Sequence, residues 1–167
     1  MLKLFSIFSF LILSIQLSFA QAPFERIPYS KMGDWTVTEY KDNNTKAFLR
    51  CSLERHYGND HNLTIARNLK GFVLGFTSKE WPYTEGIHPI TLKIDHQADI
   101  HSQVRVRTLP GGNVMGFVDF EADAEIIKAL MNNDILNVRS GEMNLDFALN
   151  GSMPAINSVK QCYSEKH

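Results

Sequence analysis

The sequence predicts a mainly β protein: a single antiparallel β-sandwich or barrel-like domain of about nine strands with two short helices. Three observations carry that expectation. Beyond residue 33, apolar side chains recur with a period of two over most of the chain, as they do in strands with one buried face. Turn-forming residues interrupt these runs at roughly the 8–12-residue intervals of all-β folds. Helical spacing takes over in only two stretches. A chain of 167 residues that is 44% hydrophobic and 21% charged has the apolar content to build a core, which excludes a disordered segment. With 17 basic and 18 acidic residues, the charge balance gives no reason to expect a nucleic acid partner.

Residues 1–20 read as a secretory signal peptide. Lys3 supplies a positive start, Leu4 to Phe19 is apolar apart from serines and Gln16, and Ser18-Phe19-Ala20 sets small residues at a cleavage site before Gln21. A bilayer span needs about 20 apolar residues, more than this run offers; an uncleaved anchor is the alternative. Cleavage leaves 147 residues, a size that buries roughly 68–70% of its unfolded surface on folding. No later stretch is long and apolar enough to cross a membrane. The expected product is therefore periplasmic or secreted.

Residues 21–32 hold Pro23 and Pro28 without periodicity and read as an extended lead-in, and residues 33–167 as one β-rich domain. Trp35 to Tyr40 mixes aromatic and β-branched residues, and Asp42-Asn43-Asn44 ends it in a turn. Leu49, Cys51 and Leu53 alternate with polar neighbours, as do Leu63 and Ile65; Phe72, Leu74 and Phe76 follow Gly71. Ile90, Leu92 and Ile94 form another alternating run, then Val104 and Val106, then Val114, Gly116 and Val118. Between the last two, Leu109-Pro110-Gly111-Gly112-Asn113 reads as a hairpin turn; it lacks the Lys and the helix of a phosphate cradle. Met143, Leu145, Phe147 and Leu149 close the strand series. Glu121 to Asn132 carries Ile126, Ile127, Leu130 and Met131 at helical spacing, with acids in its first turn. The second helix has Ser152 as expected N-cap, Pro154 in its first turn, and a face of Ala155, Ile156, Val159 and Cys162.

Cys51 and Cys162 are the only two cysteines. An even count in an exported chain favours one disulfide. It would close a loop of over a hundred residues, for which chain entropy gives about 4.7 kcal/mol. Two buried thiols are the alternative. Neither cysteine sits in a nucleophile motif, and no nucleophile elbow, zinc-helix or P-loop signature occurs. No cofactor is expected.

Four features remain as candidate chemistry. The connection from Thr77 to Pro89 holds Trp81 and Tyr83, residue types that anchor binding surfaces; in the competing reading Trp81 folds back to cap the core. Tyr57, in an inferred loop from Glu54 to His61, would join the same surface if the loops share an end. Arg105 and Arg107 share one strand face, as a clamp for a carboxylate or phosphate or as a charged outer face that discourages edge pairing. Asp95, His96 and His101 suit a transition metal, and His56 and His61 form a similar pair; loop histidines that bind nothing specific compete with that.

Gly33-Asp34-Trp35-Thr36-Val37, the run from Gly86-Ile87-His88-Pro89-Ile90 to Asp95, and Phe147-Ala148-Leu149-Asn150-Gly151-Ser152 with Ala155 and Cys162 resemble segments of the invasion-associated locus B family. The similarity spans most of Gly33 to Cys162. It implies a small periplasmic or secreted bacterial protein without enzymatic activity, and brings no catalytic residues. The expected function is a non-enzymatic envelope protein that binds an envelope or extracellular protein or a small ligand. The alternative is a metal-binding protein or metal-dependent hydrolase using Asp95, His96 and His101.

Overall fold

The computed structural model describes residues 23–58, 61–79, 81, 84–109 and 114–166. Strands β1 (Phe24–Met32), β2 (Trp35–Asp42), β3 (Phe48–Tyr57), β4 (His61–Asn68) and β5 (Gly71–Thr77) follow one another as an antiparallel meander. The chain then crosses to β6 (Gly86–Ile94) and returns through β7 (Ile100–Thr108) and β8 (Val114–Phe120), which pairs with β5. Helix α1 (Glu125–Asn132) carries it across again to β9 (Ile135–Ser140), which pairs with β6; β10 (Met143–Ala148) and helix α2 (Ser152–Ser164) finish the fold. The result is one ten-stranded sheet in the order β1-β2-β3-β4-β5-β8-β7-β6-β9-β10. Placing β5 beside β8 rather than β6 is a Greek-key step. The mainly β expectation holds.

The sheet coils so that its two halves share one core. Phe147 on β10 lies 5.7 Å from Phe76 on β5 and 5.2 Å from Tyr57 on β3, measured between ring centroids. Alternation sets what points inward: Leu53, Leu63, Leu74, Val118, Val106, Leu92, Val138 and Leu145 are all buried. Helix α2 packs over β1 to β4 and beside α1, burying Ala155, Ile156, Val159 and Cys162. There Cys162 is bonded to Cys51 of β3, with Cα atoms 6.1 Å apart, so the last helix is tied to the third strand across 111 residues of chain.

Several local expectations change. Residues 24–32 form an edge strand, whose period is hidden by a bulge between Pro28 and Ser30; proline is tolerated there because an edge strand has unpaired N–H positions. β9 goes unnoticed in the sequence because its third inward residue is Ser140, which is buried and donates to the Pro89 carbonyl over 2.6 Å. Helix α1 begins at Glu125, four residues later than its acids imply, with no side chain capping it. Ser152 is not the N-cap of α2: Gly151 takes that place at φ 79°, where glycine is free of Cβ strain. The Ser152 hydroxyl instead donates to the Leu130 carbonyl of α1 over 2.6 Å. His56 and His61 lie on β3 and β4 rather than in a loop, and His56 Nδ1 bonds Asn62 Oδ1.

Candidate functional site

Outward-facing residues of β1 to β5, β8 and β7 line a trough of about 630 Å3 on the side of the sheet away from the core. Register builds it. One cross-strand row runs Glu54, Thr64, Gly75, Phe117, Arg105 from β3 to β7; the next runs Ser52, Ala66, Val73, Asp119. Small residues thus form the floor. The terminal methyl of Met115 rests where a Cβ on Gly75 would stand, so the floor is bare at Gly75 and a flexible side chain fills the gap.

Arginines stand on both banks. On one, Arg26 and Tyr40 both reach Glu54: the guanidinium lies 3.3 Å from Oε2, and the phenol donates to Oε1 over 2.8 Å. Burial pushes the Tyr40 phenol above its ordinary pKa, and the Glu54 carboxylate pushes it further. Arg50 lies over the Tyr40 ring at 4.3 Å and 5.8 Å from that of Phe24, within the range of cation–π attraction. On the other bank Arg105 pairs with Asp119 at 2.6 Å. Arg50 and Arg107 have no acidic partner among the described residues. The carboxylate beside Arg107, Glu85, accepts from the Thr108 N–H over 2.9 Å. Four guanidiniums against Glu54 and Asp119 leave the trough with a positive excess, so the arrangement can hold an anion.

The sequence candidates fall out as follows. Arg105 and Arg107 share the trough, as same-face residues of β7. Trp81 does not join a binding surface: it is 9% exposed, its Nε1 donates to the Phe76 carbonyl over 3.2 Å, and its ring sits against Gly116. It caps the core because an inward glycine on β8 leaves room for an indole. Tyr83 lies outside the described residues, as do residues 110–113 of the turn that begins at Leu109. Tyr57 turns inward, donating to the Ala148 carbonyl over 2.7 Å. Arg26, Tyr40 and Arg50 escaped the sequence reading; the signal available was Arg50 opposite in phase to Leu49 and Cys51, next to the aromatic run of β2.

The metal candidates are placed apart as follows. Asp95, at φ 45°, spends both carboxylate oxygens on the N–H groups of Asp134 and Ile135, at 2.8 and 2.9 Å. His96 lies with it beside a depression of about 720 Å3 near β6 and β9, but His101 is on the outer face of β7, where its Nδ1 meets Thr91 Oγ1 at 3.2 Å. Among the described residues no group of three or more His, Cys, Asp or Glu side chains is placed to hold a metal ion.

No protein-family model matches the chain, and no curated protein matches it by sequence. Among solved structures, the crystal structure of invasion associated protein B from Bartonella henselae superposes with a TM-score of 0.60 at 21% identity, covering 83% of this chain and 98% of the other. The resemblance to the invasion-associated locus B family read from the residues is thus upheld at the level of the fold.

Proposed function

We propose that this is an exported, non-enzymatic binding protein of the bacterial envelope and that its binding surface is the arginine-banked trough rather than the loop around Trp81. The observation that carries the proposal is the pair of guanidiniums, Arg50 and Arg107, set without acidic partners among the described residues over a floor of small and apolar residues. Groups that bind are left unpaired in this way at a cost that a purely structural face has no reason to bear. Glu54 and Asp119, the carboxylates of the trough, are each paired with an arginine. A disulfide between distant cysteines supports an oxidising compartment, and residues 1–20 supply the export signal.

Native mass spectrometry of the full chain, expressed in a bacterium and purified from the envelope without denaturant, tests this. The expected spectrum shows a chain starting at Gln21, oxidised, carrying a bound species that an Arg50→Glu, Arg107→Glu double variant lacks. An uncleaved cytoplasmic chain would overturn the export half. Identical spectra from the two proteins would overturn the assignment of the trough.

A further inference from the structure

Resting on the trough as binding surface, we propose that its occupant is a soluble single-chain amphiphile, a long-chain carboxylate whose head lies on Arg50 and whose tail crosses the sheet toward Met115. Three features choose that chemistry. The Arg50 guanidinium lies over the Tyr40 ring at 4.3 Å, and none of its N–H groups meets an acceptor among the described residues. Its edge is thus a preorganised, unused fork of the kind that takes a carboxylate by two parallel hydrogen bonds. From β3 the floor runs over Ala66, Val73 and Gly75 to Phe117, an uncharged path flanked by Glu54 and Asp119, each of which is paired with an arginine. Three ladder steps make this about 14 Å, enough to seat the greater part of an extended acyl tail. Finally, the Met115 methyl occupies the bare site above Gly75, and a flexible methionine side chain can swing aside without moving backbone.

A peptide suits the trough less well. Extended peptides are recognised mainly through backbone hydrogen bonds at a sheet edge, whereas this is a sheet face whose N–H and C=O groups are spent in the ladders from β1 to β7. Binding energy has to come from a head on the bank and apolar contact along the floor. Arg107, at the far bank, contributes its field to the approach of an anion rather than a direct contact.

Titration of the full mature chain with parinaric acid, a fluorescent polyene fatty acid, tests the assignment. Saturable binding is expected. Arg50→Gln raises Kd about tenfold, the 1.4 kcal/mol of one charge-assisted contact; Arg107→Gln raises it no more than about threefold. Gly75→Val, which fills the floor and displaces Met115, abolishes saturable binding while circular dichroism and melting stay those of a folded domain. The methyl ester binds at least tenfold more weakly than the acid. Equal affinity for acid and ester, or a Gly75→Val variant that binds as wild type, overturns the amphiphile. Adsorption only to vesicles of anionic phospholipid, with no binding of the free acid, overturns it too. Fluorescein-labelled hexaglutamate separates this failure from that of the underlying reading. If it binds through Arg50 where parinarate does not, the trough stands and its ligand class is wrong. If neither binds, both proposals fall.

Discussion

Arg55 closes the coiled sheet, and replacing it with methionine is the sharpest test of how the fold is held. Its side chain is 11% exposed and reaches from β3 to the end of β10. Nη1 donates to the Ala148 carbonyl at 2.9 Å and to Asn150 Oδ1 at 2.6 Å, with a longer contact to the Asn150 carbonyl at 3.3 Å. Nη2 lies 3.1 Å from Asp34 Oδ2, and the guanidinium packs over the rings of Tyr57 and Trp35 at 4.9 and 5.6 Å. Methionine keeps the stem and deletes every donor. The Ala148 carbonyl retains the Tyr57 hydroxyl and the Asn150 carbonyl retains Trp35 Nε1, so the orphaning penalty is small. Asp34 is 69% exposed, and its ion pair contributes at most a few tenths of a kcal/mol. What remains is one to two charge-assisted hydrogen bonds at about 1.5 kcal/mol each and two desolvated ring contacts near 0.5 kcal/mol. The sum is about 3 kcal/mol, or a fall in melting temperature of about 6–12 °C for a domain this size. Urea denaturation followed by tryptophan fluorescence, with Asp34→Ala as the exposed control, measures it. Arg55→Lys, a point charge without the fork, should recover about half. A destabilisation by Arg55→Met no larger than that of Asp34→Ala, under about 0.5 kcal/mol, would refute the closure argument.

Two further outcomes follow from buried aromatics. Trp81→Ala should cost about 3 kcal/mol in the same denaturation assay, the low end for deleting a core tryptophan, and leave ligand binding unchanged below the unfolding transition; a cost under about 1 kcal/mol would return the residue to the surface. Burial pushes the Tyr57 phenol up to about 12, against which the neighbouring Arg55 cation acts only in part. Because the folded value lies above the unfolded one of about 10, the stability it contributes is whole below pH about 10 and is lost as pH rises toward about 12. Tyr57→Phe should flatten the alkaline limb of the stability curve, and an unchanged slope between pH about 10 and 12 would count against that burial.

How much of this was legible in the sequence depended on what each residue faces. β10 announces itself because one face is entirely buried, so Leu145 and Phe147 alternate cleanly with polar residues, and β7 because buried Val104 and Val106 alternate with exposed arginines. β1 breaks phase at its bulge and β9 turns a serine inward, and in both cases the sequence pattern loses the period that the backbone keeps. The site was half readable. Arg105 and Arg107 lie two apart on one strand, so their common face follows from the pleat. Arg26, Tyr40 and Arg50 come from three strands and meet only through pairing register, which local pattern does not encode. Trp81 had a usable clue. Gly116 falls in the inward phase of β8 between Val114 and Val118, and an inward glycine in a strand marks close approach by another group.

The same pleat separates stability from recognition within a single strand. On β3 the inward residues are Cys51, Leu53, Arg55 and Tyr57, which carry the disulfide, the core and the closure of the sheet. The outward ones include Arg50 and Glu54, which belong to the trough. Two arginines five positions apart therefore have opposite fates: Arg55 has its donors engaged by β10, the Asn150 segment and Asp34, whereas Arg50 lies over the Tyr40 ring with its donors unused among the described residues. A protein built only to fold gains nothing from holding a guanidinium rigid and unpaired, since an exposed arginine left mobile keeps its rotamer entropy and its hydration. The placement of Arg50 over the Tyr40 ring makes physical sense when a second molecule supplies the acceptor. Substitutions at Arg50 and Arg55 should accordingly dissociate, the first weakening binding at unchanged stability and the second weakening stability at unchanged affinity of the folded fraction.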